Sequence, residues 1–173
     1  ITREIAMKFN NKYGEVFPIP EPLLSSDCDS LPGIDGKGKM SKSTGNAIDL
    51  TDTKDELTKK VMKMPTDPNR TRADIPGKVE GNLVFLYHDL FNDNKEEVED
   101  LKNRYRAGTV GDVEVKRKLV DALDRFLSPI RERYEKYNDN EYLDKIIDEG
   151  SQKMRKRVQA TLEEMKRVMG FYS

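Results

Sequence analysis

Residues 36 to 46 read Gly36-Lys37-Gly38-Lys39-Met40-Ser41-Lys42-Ser43-Thr44-Gly45-Asn46. These residue types suit polyphosphate chemistry. Lysine offers a mobile point charge on a long stem, and hydroxyls and backbone N–H groups can line an anion site. Glycine lets the backbone turn through positive φ and approach a ligand closely. The pattern that opens at Leu50-Thr51-Asp52-Thr53 is helical, which is expected to bring the positive end of a helix dipole near the loop. Composition alone favours a solvated, mobile connector. The fixed order Lys39-Met40-Ser41-Lys42-Ser43 shifts the balance toward chemistry.

Other chemistries are poorly supplied. His88 is the only histidine and Cys28 the only cysteine of 173 residues. No Cys/His constellation, His-based triad or intramolecular disulfide can therefore form. His88 is expected to be an ordinary polar residue on a helix face, and a free thiol suits a reducing cytosol. No metal site is expected. No Gly-x-x-x-x-Gly-Lys-Ser/Thr string occurs, so an ordinary P-loop is excluded. The net charge of −1 means that any contact with RNA must come from local patches. No run approaches membrane-spanning length and no signal peptide is visible. The 35% hydrophobic fraction is low for an autonomous domain, and fits long exposed helices or a piece lacking its core partner. The chain opens on Ile1 in what reads as mid-helix, so a fragment of a longer protein is expected.

The elements that must position the loop are mostly helices. Ile1, Ile5 and Phe9 at spacing four predict an amphipathic helix to Tyr13, closed by Gly14. The proline-rich segment Val16 to Leu24 predicts extended chain with at most a short strand. A polar turn is expected at Ser25 to Ser30. From Asp52 the pattern is helical, with a capping box of either Thr53 with Glu56 or Asp52 with Asp55. Pro65 and Pro68 stop it. A long loop follows to Lys78, where Arg70 and Arg72 read either as phosphate contacts or as solvated charges. Further helices are predicted over Asn82 to Phe91, from Asn94 through Arg106, over 112 to 137 with a bend or local break at Pro129, and from Leu143 to Met169 with Gly170 as cap. Their apolar stripes read as core or inter-helix seams, with methionines filling gaps. The basic residues Lys153, Arg155, Lys156, Arg157, Lys166 and Arg167 are either an RNA-facing side or a solvated face with i,i+4 pairs. No repeat period is present.

Lys39-Met40-Ser41-Lys42-Ser43 is identical to the KMSKS signature of class I aminoacyl-tRNA synthetases. Thr2-Arg3-Glu4-Ile5-Ala6, Met64-Pro65-Thr66-Asp67-Pro68, Pro76-Gly77-Lys78-Val79-Glu80-Gly81-Asn82 with Tyr87, Pro129 to Tyr134, Asp148-Glu149-Gly150 and Met165 to Phe171 add to it. Together they resemble the C-terminal half of bacterial-type tryptophanyl-tRNA synthetases, and the lead-in Leu31 to Gly38 departs from the commoner one, as in a divergent subgroup.

The resemblance implies a mainly α fold. Residues 1–50 would be the end of a Rossmann catalytic domain with the KMSKS loop. Residues 51–173 would be a bundle-like helical domain that approaches the tRNA anticodon, its last helix packing back on the catalytic domain. It further implies tryptophan activation by ATP with Mg²⁺, transfer to the tRNA for tryptophan, a cytoplasmic homodimer, and a fragment inactive alone. Lys42 would be the main transition-state lysine and Lys39 would hold the β/γ-phosphates. Ser41 and Ser43 would bind oxygens or shape the loop, Met40 would pin it, and Leu31 would face adenine. The alternatives are a tyrosyl enzyme with the same loop, or a non-catalytic helical RNA-binding module.

Overall fold

The computed structural model describes residues 1–24 and 30–171. Most of the expected turn at Ser25 to Ser30, including Cys28, lies outside the described residues. Six helices and no strand are found among them: α1 (Thr2–Tyr13), α2 (Lys54–Met62), α3 (Leu83–Phe91), α4 (Lys95–Arg106), α5 (Asp112–Tyr137) and α6 (Asn140–Val168). The mainly α expectation holds. The extended segments make one isolated antiparallel bridge, Pro32 to Lys39. The chain forms two compact units, Ile1–Ser25 with Tyr137–Ser173, and Ser26–Lys136.

Four of the helices, α2, α3, α4 and α6, start where side chains can satisfy their free N–H groups. Thr53 caps α2 in a full capping box: its hydroxyl accepts from Glu56 N, and Glu56 Oε2 accepts from Thr53 N at 2.8 Å. That backbone contact, then the Thr53 hydroxyl, holds the Glu56 carboxyl below its usual range. Of the two capping boxes open in the sequence, this is the one formed. Asn82, Asn94 and Asp139 cap α3, α4 and α6. α6 ends in a Schellman turn. Gly170 takes φ 76°, its N–H bonds Arg167 O, and Phe171 N–H bonds Lys166 O at 3.0 Å. Pro129 removes one donor from α5, yet the helix runs unbroken through it.

In the unit Ser26–Lys136 the core gathers Leu57 and Val61 of α2, Phe85 and Tyr87 of α3, Leu101 and Tyr105 of α4, and Leu119, Leu123 and Leu127 of α5. The α5 stripe is therefore core at Leu119, Leu123 and Leu127, while Phe126 and Tyr134 stay exposed. Two sequence expectations change here. Arg70 is neither a phosphate contact nor a solvated charge, because its side chain is 0% exposed. Its guanidinium donates to Ile75 O at 2.7 Å, to Ala73 O at 2.6 Å and to Val110 O. It also lies 4.1 Å from the Tyr105 ring centroid and 3.4 Å from Asp112 Oδ2, an ion pair without an aligned hydrogen bond at Nη1. Arg72 is exposed and pairs with Asp74. Asp67 staples the same loop by accepting from Asn69 N and Lys78 N, both at 2.9 Å.

His88 is likewise no surface residue. It is 0% exposed, donates from Nε2 to Val115 O at 3.0 Å and accepts at Nδ1 from Asn92 Nδ2 at 3.2 Å. Both ring nitrogens are satisfied in the neutral form, which is why the ring can be buried. Lys116 is buried too, and its ammonium caps the end of α2 through Met62 O at 3.0 Å and Met64 O at 2.6 Å.

In the other unit, Asn10 of α1 binds the backbone of Val16 and Phe17, and Phe9 packs edge-on against Phe17. No residue of α6 is buried, and Ile147, Met154 and Val158 are more than half exposed. Of the two readings of the α6 stripe, core or inter-helix seam, the core reading is corrected, and with it the gap-filling core role of its methionines. The buried cluster draws on residues from Ile34 to Leu127, and α6 contributes nothing to it.

Two outcomes follow from the buried polar groups. Arg70→Met strands three carbonyls and the Asp112 carboxylate, and is expected to destabilise the fold by about 3 kcal/mol in urea unfolding. Arg72→Met, at an exposed pair, leaves the midpoint unchanged. Burial holds the His88 pKa below its usual 6.5, the Val115 contact opposing this in part. The unfolded chain therefore takes up a proton before the folded one does. Stability is full above the unfolded value and falls as pH drops through it toward the folded value. Unfolding midpoints between about pH 7.5 and about pH 5 should show this slope, and His88→Asn should flatten it.

Candidate nucleotide-binding loop

The lysine loop is a tight, core-anchored turn. Leu31 O accepts from Met40 N at 3.0 Å and Gly38 O from Gly33 N at 2.9 Å, which closes residues 31 to 40 into a hairpin-like bend. Gly36, Gly38 and Gly45 all adopt φ near +70°, between +69 and +70, a region costly for residues with a Cβ. A second turn covers Lys42 to Gly45, with Gly45 N donating to Lys42 O at 3.1 Å.

The loop is fixed to the helical core from below. Ile34 belongs to the buried cluster, and Leu31, Met40 and Ile48 pack against it. Tyr87 of α3 donates its hydroxyl to Pro32 O at 2.5 Å. At the loop's exit, Lys60 of α2 pairs with Asp49 at 3.2 Å and Asp52 at 2.6 Å, and Arg131 of α5 donates to Asp52 O at 3.0 Å. Burial lowers the Lys60 pKa, but the contacts with Asp52 and Asp49 outweigh it and raise the value.

The side chains that could do chemistry point away from this anchorage. Lys39, Lys42 and Ser43 are exposed, and Met40 and Ser41 half-buried. Neither lysine forms an ion pair among the described residues. Ser41 Oγ and Ser43 Oγ lie 3.0 Å apart. An open cleft of about 480 Å³ lies beside the loop, with Met40, Ser41, Lys42, Asp49 and Tyr134 in its walls. Leu31 is set apart from it, packed on the core. A larger cleft of about 980 Å³ is lined by Asp35, Lys37, Asp67, Lys78, Glu80 and Arg106 among others. It contains neither Lys39 nor Lys42, and Arg106 within it is paired with Glu80.

Two loop residues were not singled out by residue type. Asn46 is buried and sits inside the turn, and Asp35 receives its amide at 3.0 Å. The Lys37 backbone N–H, and after it Asn46, hold the Asp35 carboxyl below its ordinary range. No local pattern marks these two, because their partners are up to 11 residues away.

A helical chain carrying an exposed double-lysine loop on a core-anchored hairpin is the class of protein defined by this geometry. The family described as tRNA synthetases class I (W and Y) matches residues 1–128, and the chain belongs to it. More particular relatives carry a single name. The chain is 54% identical to the tryptophan–tRNA ligase of Treponema pallidum, over 98% of this chain and 50% of that protein. It is 52% identical to the tryptophan–tRNA ligase of Borreliella burgdorferi, over 97% of this chain and 48% of that one. Among solved structures, the tryptophanyl-tRNA synthetase of Campylobacter jejuni, in complex with ADP and tryptophan, superposes with a TM-score of 0.76 at 31% identity. That match covers 97% of this chain and 52% of the other. The chain thus spans about half the length of the curated relatives it matches.

Proposed function

We propose that this chain is the C-terminal half of a tryptophan–tRNA ligase and supplies the lysine loop of its active site. The observation that carries the reading is the unsubstituted Lys39-Met40-Ser41-Lys42-Ser43 string, held on a core-anchored turn with both ammonium groups free of ion pairs among the described residues. The names of the relatives favour tryptophan over tyrosine.

In the first step a tryptophan carboxylate oxygen attacks the α-phosphorus of ATP. The bond to the bridging oxygen breaks, pyrophosphate leaves, and tryptophanyl-adenylate remains. Negative charge grows on the phosphate oxygens, and catalysis requires that it be met more strongly in the transition state than before it. Lys42 takes that role and Lys39 holds the β/γ-phosphates. Ser41 and Ser43 bind oxygens or set the curve of the loop, Met40 keeps it on the core, and Leu31 offers backbone toward adenine. A terminal ribose hydroxyl of the tRNA then attacks the adenylate carbonyl and AMP departs.

Among the described residues no group of three or more His, Cys, Asp or Glu side chains could hold a metal ion. Mg²⁺ enters with ATP, bound mainly by its phosphates and by water. Residues 1–50 complete the edge of the catalytic domain, and residues 51–173 form the helical domain that approaches the anticodon. The remaining half of the enzyme supplies the tryptophan pocket and covers the apolar stripe of α6. The whole enzyme is a cytoplasmic homodimer. Among the described residues no helix is long and apolar enough to cross a membrane.

The test is ATP–pyrophosphate exchange by the full-length enzyme, run with tryptophan and with tyrosine, with this fragment as control. Exchange with tryptophan alone, and none by the fragment, is the expected result. Exchange with tyrosine keeps the mechanism and changes the substrate. No exchange with either moves the reading to a helical RNA-binding module. Lys42→Ala should slow adenylate formation by roughly a hundredfold or more while ATP affinity changes far less. Equal losses in both would contradict a transition-state role.

A further inference from the structure

Asn46 stands three residues beyond the signature and is 4% exposed. Its side chain can make four hydrogen bonds, two as donor and two as acceptor, and four polar partners surround it. Nδ2 donates to Asp35 Oδ1 at 3.0 Å and, at the long limit of 3.5 Å, to Lys39 O. Oδ1 accepts from Ser41 N and from Thr44 Oγ1, both at 2.8 Å. The orientation of the amide is forced, since the Ser41 N–H can only donate and an ionised Asp35 only accept.

The partners are placed to act on the two lysines. Lys39 O lies on one side of the amide, and Ser41 N and the Thr44 hydroxyl flank Lys42. Asn46's own backbone is tied to the core, its carbonyl accepting from Ile34 N at 2.9 Å. Room for the amide exists because residue 33 is glycine: a Cβ there would lie 2.1 Å from Asn46 Nδ2.

We propose that Asn46 is the positioning residue of the lysine loop, transmitting the fixed core to the backbone on both sides of Lys42 so that both ammonium groups are presented toward the nucleotide. It touches no reacting atom itself, and its role rests on the reading of this loop as the ATP-handling element. Three near replacements do not fit the site. Aspartate cannot donate to Asp35, glutamine is one methylene too long beside Gly33, and alanine makes none of the four contacts.

The experiment measures kcat and the KM for tryptophan in ATP–pyrophosphate exchange by the full-length enzyme, together with its melting temperature. Asn46→Ala is expected to lower kcat roughly ten- to a hundredfold, since misplacing the loop costs turnover without removing a group that meets the phosphates. The KM for tryptophan should stay within about twofold, because the loop does not form that pocket. Asn46→Asp keeps the acceptor for Ser41 and Thr44 but sets a second carboxylate against Asp35. Its turnover should also fall, and adding Asp35→Asn should recover most of the loss by removing the repulsion.

Wild-type turnover in Asn46→Ala or Asn46→Asp overturns the proposal, as does a kcat loss matched by equal changes in the tryptophan KM. Should Asn46→Ala fail to fold, the charge pair decides: recovery in the double variant supports positioning, and no recovery overturns it. A wild-type enzyme without exchange removes the ATP-handling reading, and this role falls with it. Normal wild-type exchange with unaffected variants removes only the role of Asn46.

Discussion

The contact on which the structure depends is the seating of the lysine loop on the apolar cluster of the helices. A string of glycine, lysine and serine buries too little surface to order itself against its conformational entropy. Order is imported through a few residues. Ile34 is inside the cluster, and Leu31, Met40 and Ile48 pack on its face. Tyr87 adds a directional bond to Pro32 O from a side chain that is itself fully buried. Burial of these apolar groups, each stabilising by up to about 1.5–3 kcal/mol if complete, fixes where the loop begins and ends. Hydrogen bonds then decide its curvature.

Beneath the loop, buried polar groups set the spacing of the helices. The guanidinium of Arg70 gathers the Ala73 and Ile75 carbonyls within the connection between α2 and α3 and the Val110 carbonyl just before α5, while lying over the ring of Tyr105 of α4. Lys116 of α5 closes the last turn of α2, and His88 of α3 bonds to a carbonyl of α5. Such groups contribute little net stability compared with an apolar core of equal volume, but their loss leaves partners stranded. They favour one register of the helices over its neighbours, and the loop above inherits that register through α2 and α3.

What the sequence makes legible is local. The capping pairs Thr53 with Glu56, Asn82 with Val84, and Asn94 with Glu97 lie within a few residues of each other, so the helix starts could be read directly. The glycine ends at Gly14 and Gly170 were legible for the same reason. The lysine loop is a contiguous string and stood out by the order of its residues. Arg70 and His88 did not, because their environments are made by residues as far apart as positions 70 and 110, or 88 and 115. A charged residue in a long polar loop gives no local sign that it will be buried. The α6 stripe has core periodicity, but periodicity shows only that a face is apolar and is silent on what covers it. Asn46 escaped for a further reason: asparagine after Thr-Gly reads as turn chemistry, and only the positions of Asp35 and Gly33 reveal that its amide is enclosed.

Within ten residues the loop combines a constrained main chain with free cationic tips. This follows from what each part must do if the charge it meets develops only during reaction. An ammonium already held by a carboxylate would have to break that pair before meeting a phosphate, and the cost would subtract from transition-state stabilisation. Lys39 and Lys42 have no such pair among the described residues, whereas Lys60 of α2 is locked to Asp49 and Asp52. The locked lysine anchors the exit of the loop and the free ones remain in water. Water solvates the free lysines at little cost, so on the proposed reading their attraction for phosphate would grow only as closure excluded solvent and lowered the local dielectric. A rigid backbone keeps that closure from being spread over many loop conformations. Backbone constraint and side-chain freedom are therefore two requirements of the same electrostatic task, and Asn46 supplies the first without intruding on the second.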